Sequence, residues 1–214
     1  MMRELPYVEL CFNLTGENIP ADHGYALYSA ISHLCPELHN RDGLSIETIA
    51  GIPDRQGKIY LTEKSRLRIR LPGDEVPAVY PLAGKLLGIG NHHITLGIPQ
   101  IFMLKPVGQL RSRITVIKGF EEPEPFLEAA QRQLQDLGIQ ATVAIPMNSE
   151  GQTDRKAIKI KGYTVVGFGL EVRDLCDDDS IKLQERGLGG KRRMGCGIFV
   201  PFHSTREVNY AWAK

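Results

Sequence analysis

The residues best placed to do chemistry lie near the C-terminus, in Gly187-Leu188-Gly189-Gly190-Lys191-Arg192-Arg193-Met194-Gly195-Cys196-Gly197-Ile198-Phe199. Five glycines bracket three consecutive cations. Glycine lets the backbone take φ > 0 and lie close against a ligand. Exposed main-chain N–H groups can form a nest for an anion, and Lys191, Arg192 and Arg193 would add charge-assisted contacts to phosphate. Gly187, Gly189, Gly190, Gly195 and Gly197 are therefore expected to build a phosphate-binding loop with the three cations. A flexible surface turn is the plain alternative. A Walker A loop is excluded, because GxxxxGK[ST] is absent and the segment follows a helical stretch instead of opening one. A dinucleotide-binding fingerprint fails as well, since no helix follows.

Two further basic runs stand out. In Arg66-Leu67-Arg68-Ile69-Arg70-Leu71 the apolar and basic residues alternate strictly. That period of two predicts a half-buried strand whose outer face is Arg66, Arg68 and Arg70. In residues 154–161, Arg155, Lys159 and Lys161 share one alternation face, with Lys156 beside them. Each run reads equally as a solvated strand face or as a binding surface. The four cysteines, Cys11, Cys35, Cys176 and Cys196, form no CxxC pair and no zinc-like spacing with histidine. They are expected to be reduced thiols of a cytoplasmic protein. Asp177-Asp178-Asp179 reads as a helix-capping and dipole feature, and no metal or other cofactor is expected.

These residues must be positioned by a chain of 214 residues that is 42% hydrophobic and 24% charged, enough for a packed core. The formal charge of +1 does not announce a nucleic-acid partner, so the local runs carry that argument. No stretch of about 20 apolar residues predicts a membrane span, and the opening MMRELPYVEL reads as no secretory signal.

Periodicity and turn residues predict a strand over 5–14, then a helix over 23–34 with Asp22 as N-cap and Pro36 as its stop. Strands follow at 44–52 and 57–62 around Pro53-Asp54-Arg55-Gln56-Gly57, and at 66–71. A helix is expected at 75–87 and a strand at 93–104. The second half repeats the order: a strand at 110–118, a helix at 123–136, strands at 139–145 and 163–172, a helix at 178–186, and a strand at 197–202. The charged element at 154–161 is extra. Two β-α-β-β-α-β units predict an α+β protein of two tandem ferredoxin-like domains, residues 1–105 and 106–214, the second bearing the glycine-rich loop.

The loop pattern resembles the glycine-rich loop of the repeat-associated mysterious proteins of CRISPR systems. With the tandem order and the preceding Gly162-Tyr163-Thr164-Val165-Val166-Gly167-Phe168 strand, the chain from Leu5 to about Phe202 is similar to the CRISPR-associated endoribonucleases that cut precursor CRISPR RNA within its repeats. Non-cutting RNA-binding subunits of CRISPR effector complexes carry such loops too, and that class is the alternative function.

The resemblance implies cleavage without a metal, the RNA's own 2′-hydroxyl attacking the adjacent phosphate under general acid–base catalysis. Histidine suits this work, with a reference pKa of about 6.5. The family places its catalytic histidine in or just after the first helix, where this chain has His23, His33 and His39. Leu38-His39 matches that pattern best, with His23 the next candidate and His33 the weakest. The family's helical tyrosine corresponds to Tyr28, with Tyr25 one turn earlier. A core aromatic with its hydroxyl at the rim is the competing reading of Tyr28. The implied partner is a CRISPR repeat stem-loop, bound mainly through phosphates and A-form shape, with other effector-complex subunits as further partners and no membrane.

Overall fold

The computed structural model describes residues 5–39, 41–147 and 151–202. In β1 (Tyr7–Thr15) burial alternates, with Val8, Leu10 and Phe12 turned into a core. β2 (Asn18–Pro20) precedes α1 (Gly24–Leu34), whose buried Gly24, Leu27, Tyr28 and Ile31 repeat at helical spacing. Then come β3 (Ser45–Ile46), β4 (Ile52–Pro53), β5 (Lys58–Tyr60), β6 (Arg66–Pro72), α2 (Val76–Val79), β7 (Leu86–Ile89) and β8 (His92–Met103). The main antiparallel sheet runs β3-β6-β1-β8-β7, and β2-β5-β4 form a small sheet of their own.

The strands expected at 44–52 and 57–62 are thus divided between two sheets. The turn between β4 and β5 is tightened by the Asp54 carboxylate, which accepts the N–H groups of Gln56 and Lys58. The helix expected at 75–87 shrinks to a few short turns across Gly73–Leu82, and β7 takes up the rest. Pro77 and Pro81 remove main-chain donors, and the burial of Leu87 and Ile89 against exposed Leu86 is strand periodicity.

The later part of the chain contributes β9 (Leu110–Thr115), α3 (Pro123–Asp136), β10 (Thr142–Ala144), β11 (Arg155–Ile160), β12 (Tyr163–Arg173), α4 (Asp177–Arg186) and β13 (Val200–Pro201). Its sheet runs β10-β12-β9-β13, with β11 hairpinned onto β12. α3 buries Phe126, Ala129, Ala130 and Leu134 and starts with Pro123. It ends at Gly138, whose φ of 68° lets Ile139 N–H reach back to Leu134 O.

The chain folds as two compact units, making an α+β protein with two hydrophobic cores. The first unit takes the chain up to Leu104 together with Ala157–Val165 and Lys191–Cys196. The second takes Lys105–Lys156, Val166–Gly190 and the chain from Gly197 onward. The three consecutive cations therefore belong to the first unit, far in sequence from the rest of it. Among the described residues, no helix is long and apolar enough to cross a membrane.

Candidate active site

Tyr28 lies on the core-facing side of α1 with 6% of its surface exposed. α1 stops where Cys35 N–H closes on Ile31 O, and Pro36–Leu38 makes one 3-10 turn. Fully buried Leu38 anchors that turn, which brings the exposed His39 back over the helix. His39 Nδ1 is 3.2 Å from Tyr28 Oη. The two rings stack at 5.9 Å between centroids and 14° between planes.

This pairing offers both protonation roles. A neutral His39 that donates Nδ1–H to Oη presents the Nε2 lone pair, a base. The imidazolium it becomes on taking a proton keeps Nδ1–H on Oη and presents Nε2–H, an acid.

Arg193 joins them. Its guanidinium carbon is 5.6 Å from the Tyr28 ring centroid, and Nη1 donates to the Arg41 carbonyl at 3.2 Å. Arg41 is itself tied to Glu75 at 2.6 Å, and that hydrogen bond pushes its guanidinium pKa up. The turn Arg192–Met194 is held by two close approaches. A Cβ on Gly24 would collide with the Met194 carbonyl, and one on Gly195 would collide with the Thr48 methyl.

The structure thus gathers His39, Tyr28 and Arg193, residues expected separately from the sequence. Other candidates fall elsewhere. His23 is a correction: it is 1% exposed, donates from Nδ1 to Pro20 O at 2.8 Å and accepts the Ile49 N–H at Nε2 at 2.9 Å. Both nitrogens serve the main chain, which fixes the neutral Nδ1–H tautomer in a structural role. His23 also takes the N-cap position expected for Asp22, whose carboxylate instead accepts the Lys159 N–H at 2.6 Å. His33 is exposed in the last turn of α1 and lines a groove beside β7 with Tyr25 and Ser29.

The basic face of β6 is corrected as well. Arg70 is 3% exposed and pairs with Glu9 at 3.1 Å. Arg68 is 3.4 Å from Glu9 and 3.8 Å from Glu47, and Arg66 donates to the carbonyls of Glu63 and Ser65. Acidic residues on β1 and beside β3 face the arginines across the sheet, a pairing invisible in the alternation of one strand. On β11, Arg155 and Lys159 are exposed as expected, as is Lys161 just beyond it, and Lys156 pairs with Asp154.

The five glycines do not form the expected anion nest. Gly187, Gly189, Gly190, Gly195 and Gly197 donate their N–H groups to Leu183 O, Gln133 Oε1, Val116 O, Arg192 O and Ile114 O respectively. Gly189 and Gly197 do permit close approach, but to the carbonyls of Val116 and Leu188 and not to a ligand. Their job is to route the chain so that the cations are presented. Gly24, Thr48 and the Arg41 carbonyl were missed by sequence reasoning, because contacts spanning some 150 residues leave no local pattern. Among the described residues, no group of three or more His, Cys, Asp or Glu side chains is placed to hold a metal ion.

Solved structures of CRISPR-associated proteins share this fold. One described as "CRISPR associated protein Cas6" superposes with a TM-score of 0.64 at 15% identity, covering 92% of this chain and 99% of the other. A Cas6-related protein from Pyrococcus furiosus superposes at 0.66, with 15% identity and coverage of 91% and 98%. In sequence, the "Cas6 Crispr" family model matches residues 8–204. A "CRISPR-associated endonuclease Cas6" from Myxococcus xanthus (strain DK1622) is 35% identical over 195 residues, covering 91% of this chain and 81% of the relative. The chain belongs to the Cas6 family.

Proposed function

We propose that this protein is a metal-independent endoribonuclease that cuts precursor CRISPR RNA within its repeats, working in the cytoplasm on a repeat stem-loop. The observation that carries this reading is the Tyr28–His39 pair lying beside Arg193. The endonuclease name of the 35% identical relative supports it. In the reaction, the 2′-hydroxyl attacks the adjacent phosphorus while His39 Nε2 takes its proton. The bond to the 5′-oxygen breaks, and that oxygen leaves with a proton from a general acid. The products are a 2′,3′-cyclic phosphate and a 5′-hydroxyl. Tyr28 Oη holds the imidazole in orientation and fixes which nitrogen carries the proton.

The proposed framework is two tandem ferredoxin-like domains, residues 1–105 and 106–214, with a glycine-rich loop in the second. The matching strand orders support it: β3-β6-β1-β8, leaving β7 aside, and β10-β12-β9-β13. RNA contacts are assigned to Lys191, Arg192 and Arg193, and to the exposed cations Arg155, Lys159 and Lys161. Lys156, Arg66, Arg68 and Arg70 contribute less because they are already bonded within the protein. Gly187, Gly189, Gly190, Gly195 and Gly197 support the loop.

The test is cleavage of an end-labelled stem-loop repeat RNA in EDTA by the intact chain and by His39→Ala. Cutting that is lost in the variant and leaves a 2′,3′-cyclic phosphate is the expected result. Tight binding without any cutting would instead identify an RNA-holding subunit, and cutting that needs added Mg²⁺ would overturn the metal-independent chemistry.

A further inference from the structure

The three consecutive cations do not share one task. Lys191 is exposed and left-handed, with φ of 66°. Arg193 is folded back over Tyr28, with one donor spent on the Arg41 carbonyl. Its surroundings differ from those of Arg41, Arg68 and Arg70. Arg41 is paired with Glu75, and Arg68 and Arg70 with Glu9. Among the described residues, no carboxylate pairs with Arg193. A fixed guanidinium over the face of the tyrosine that bonds His39, with no carboxylate paired to it, is an electrostatic arrangement suited to an anion.

We infer that Arg193 is a catalytic residue, its guanidinium set against the scissile phosphate, while Lys191 serves RNA affinity alone. This rests on the endoribonuclease reading above. As the 2′-oxygen adds to phosphorus, negative charge gathers on the two non-bridging oxygens. A planar fork already held in place meets that charge without reorganising. Two structural details keep it there. The Met194 carbonyl is seated on Gly24, and the Thr48 methyl is seated on Gly195. The residue on the C-terminal side of Arg193 is thus locked to the start of the helix that carries Tyr28.

The experiment separates affinity from rate. Single-turnover cleavage of a labelled stem-loop RNA is measured at saturating protein, and Kd is measured with the same RNA carrying a 2′-deoxy nucleotide at the cut. Arg193→Gln is expected to slow the saturated rate by about 10²-fold or more, the size of effect seen when a transition-state donor is removed. Its Kd should rise less than about tenfold, as befits the loss of one phosphate contact. Arg193→Lys, which keeps the charge but not the fork, should recover part of the rate and guards against a folding defect. Lys191→Ala should weaken binding by more than it slows the saturated rate, the opposite balance to Arg193→Gln. An Arg193→Gln protein that cuts at the intact rate once saturated, or whose loss lies wholly in Kd, overturns the inference while leaving the nuclease standing. An intact chain that binds but never cuts removes the nuclease reading and this inference together.

Discussion

Gly24 and Met194, 170 positions apart in the chain, are packed so closely that the Met194 carbonyl occupies the space a Cβ on residue 24 would need. Gly24 opens α1, which carries Tyr28 one turn later; Met194 follows Arg193. The contact therefore sets the distance between a cation and an aromatic that no local sequence relates. Gly24→Ala is expected to push the Arg192–Met194 turn away and to lower the saturated cleavage rate by about tenfold or more, since small misplacements of a reacting group are that expensive. The helix itself should gain slightly from alanine propensity. An alanine variant that cuts at the parental rate would show that the turn can shift without consequence.

The phenol of Tyr28 is the second element to isolate. Tyr28→Phe keeps the ring, its packing in the core and its face toward Arg193, but deletes the hydrogen bond to His39. Thermal stability should change by no more than about 1 kcal/mol. The saturated rate should fall by about 10- to 100-fold, because His39 loses the group that selects its tautomer. Equal rates for Tyr28→Phe and the parent would reduce Tyr28 to a core aromatic.

His23 gives the opposite pattern. Its ring bridges Pro20 O and Ile49 N–H inside the core, tying the entry of α1 to the segment after β3. His23→Ala orphans a buried carbonyl and a buried N–H, so it is expected to destabilise the fold by roughly 2–5 kcal/mol. Protein that remains folded, assayed well below its melting temperature, should cut at close to the parental saturated rate. A stable His23→Ala protein without activity would return His23 to the chemistry.

What the sequence made legible was periodic. α1 and α3 lie within a residue or two of their expected places because their buried residues repeat at helical spacing and proline or glycine marks their ends. The long strands β1, β6 and β8 were legible from alternation and turn residues. The region from 73 to 89 was not, because Leu86-Leu87-Gly88-Ile89 is too short for its apolar residues to distinguish helix from strand. His39 and Tyr28 were found individually, through family resemblance, but nothing in their spacing of eleven residues requires them to touch. That contact depends on the proline-led turn at Pro36–Leu38. The arginines of β6 were read as an outward-facing basic surface, but Arg70 is buried and both Arg68 and Arg70 are paired with carboxylates, because Glu9 and Glu47 approach from other parts of the first unit.

Glu47 supplies a pH test of that charged sheet face. Its side chain keeps 27% exposure, yet Oε2 is shut off from water and has no hydrogen-bond partner, with Arg68 Nη1 at 3.8 Å. Burial pushes its carboxyl above the ordinary carboxylate range, Arg68 opposes the shift, and Glu9 adds to it. A carboxyl that holds its proton more tightly in the folded chain makes stability fall as pH rises from the unfolded pKa through the raised folded one. Glu47→Gln carries no charge to bury, so that decline should be shallower in the variant. Well above the raised pKa the glutamine protein is expected to melt at a higher temperature than the parent. Near pH 4.5 the two should converge. Thermal unfolding of both proteins between pH 4.5 and 8 checks this, and melting curves that stay parallel across the range would mean that Glu47 ionises without penalty beside Arg68.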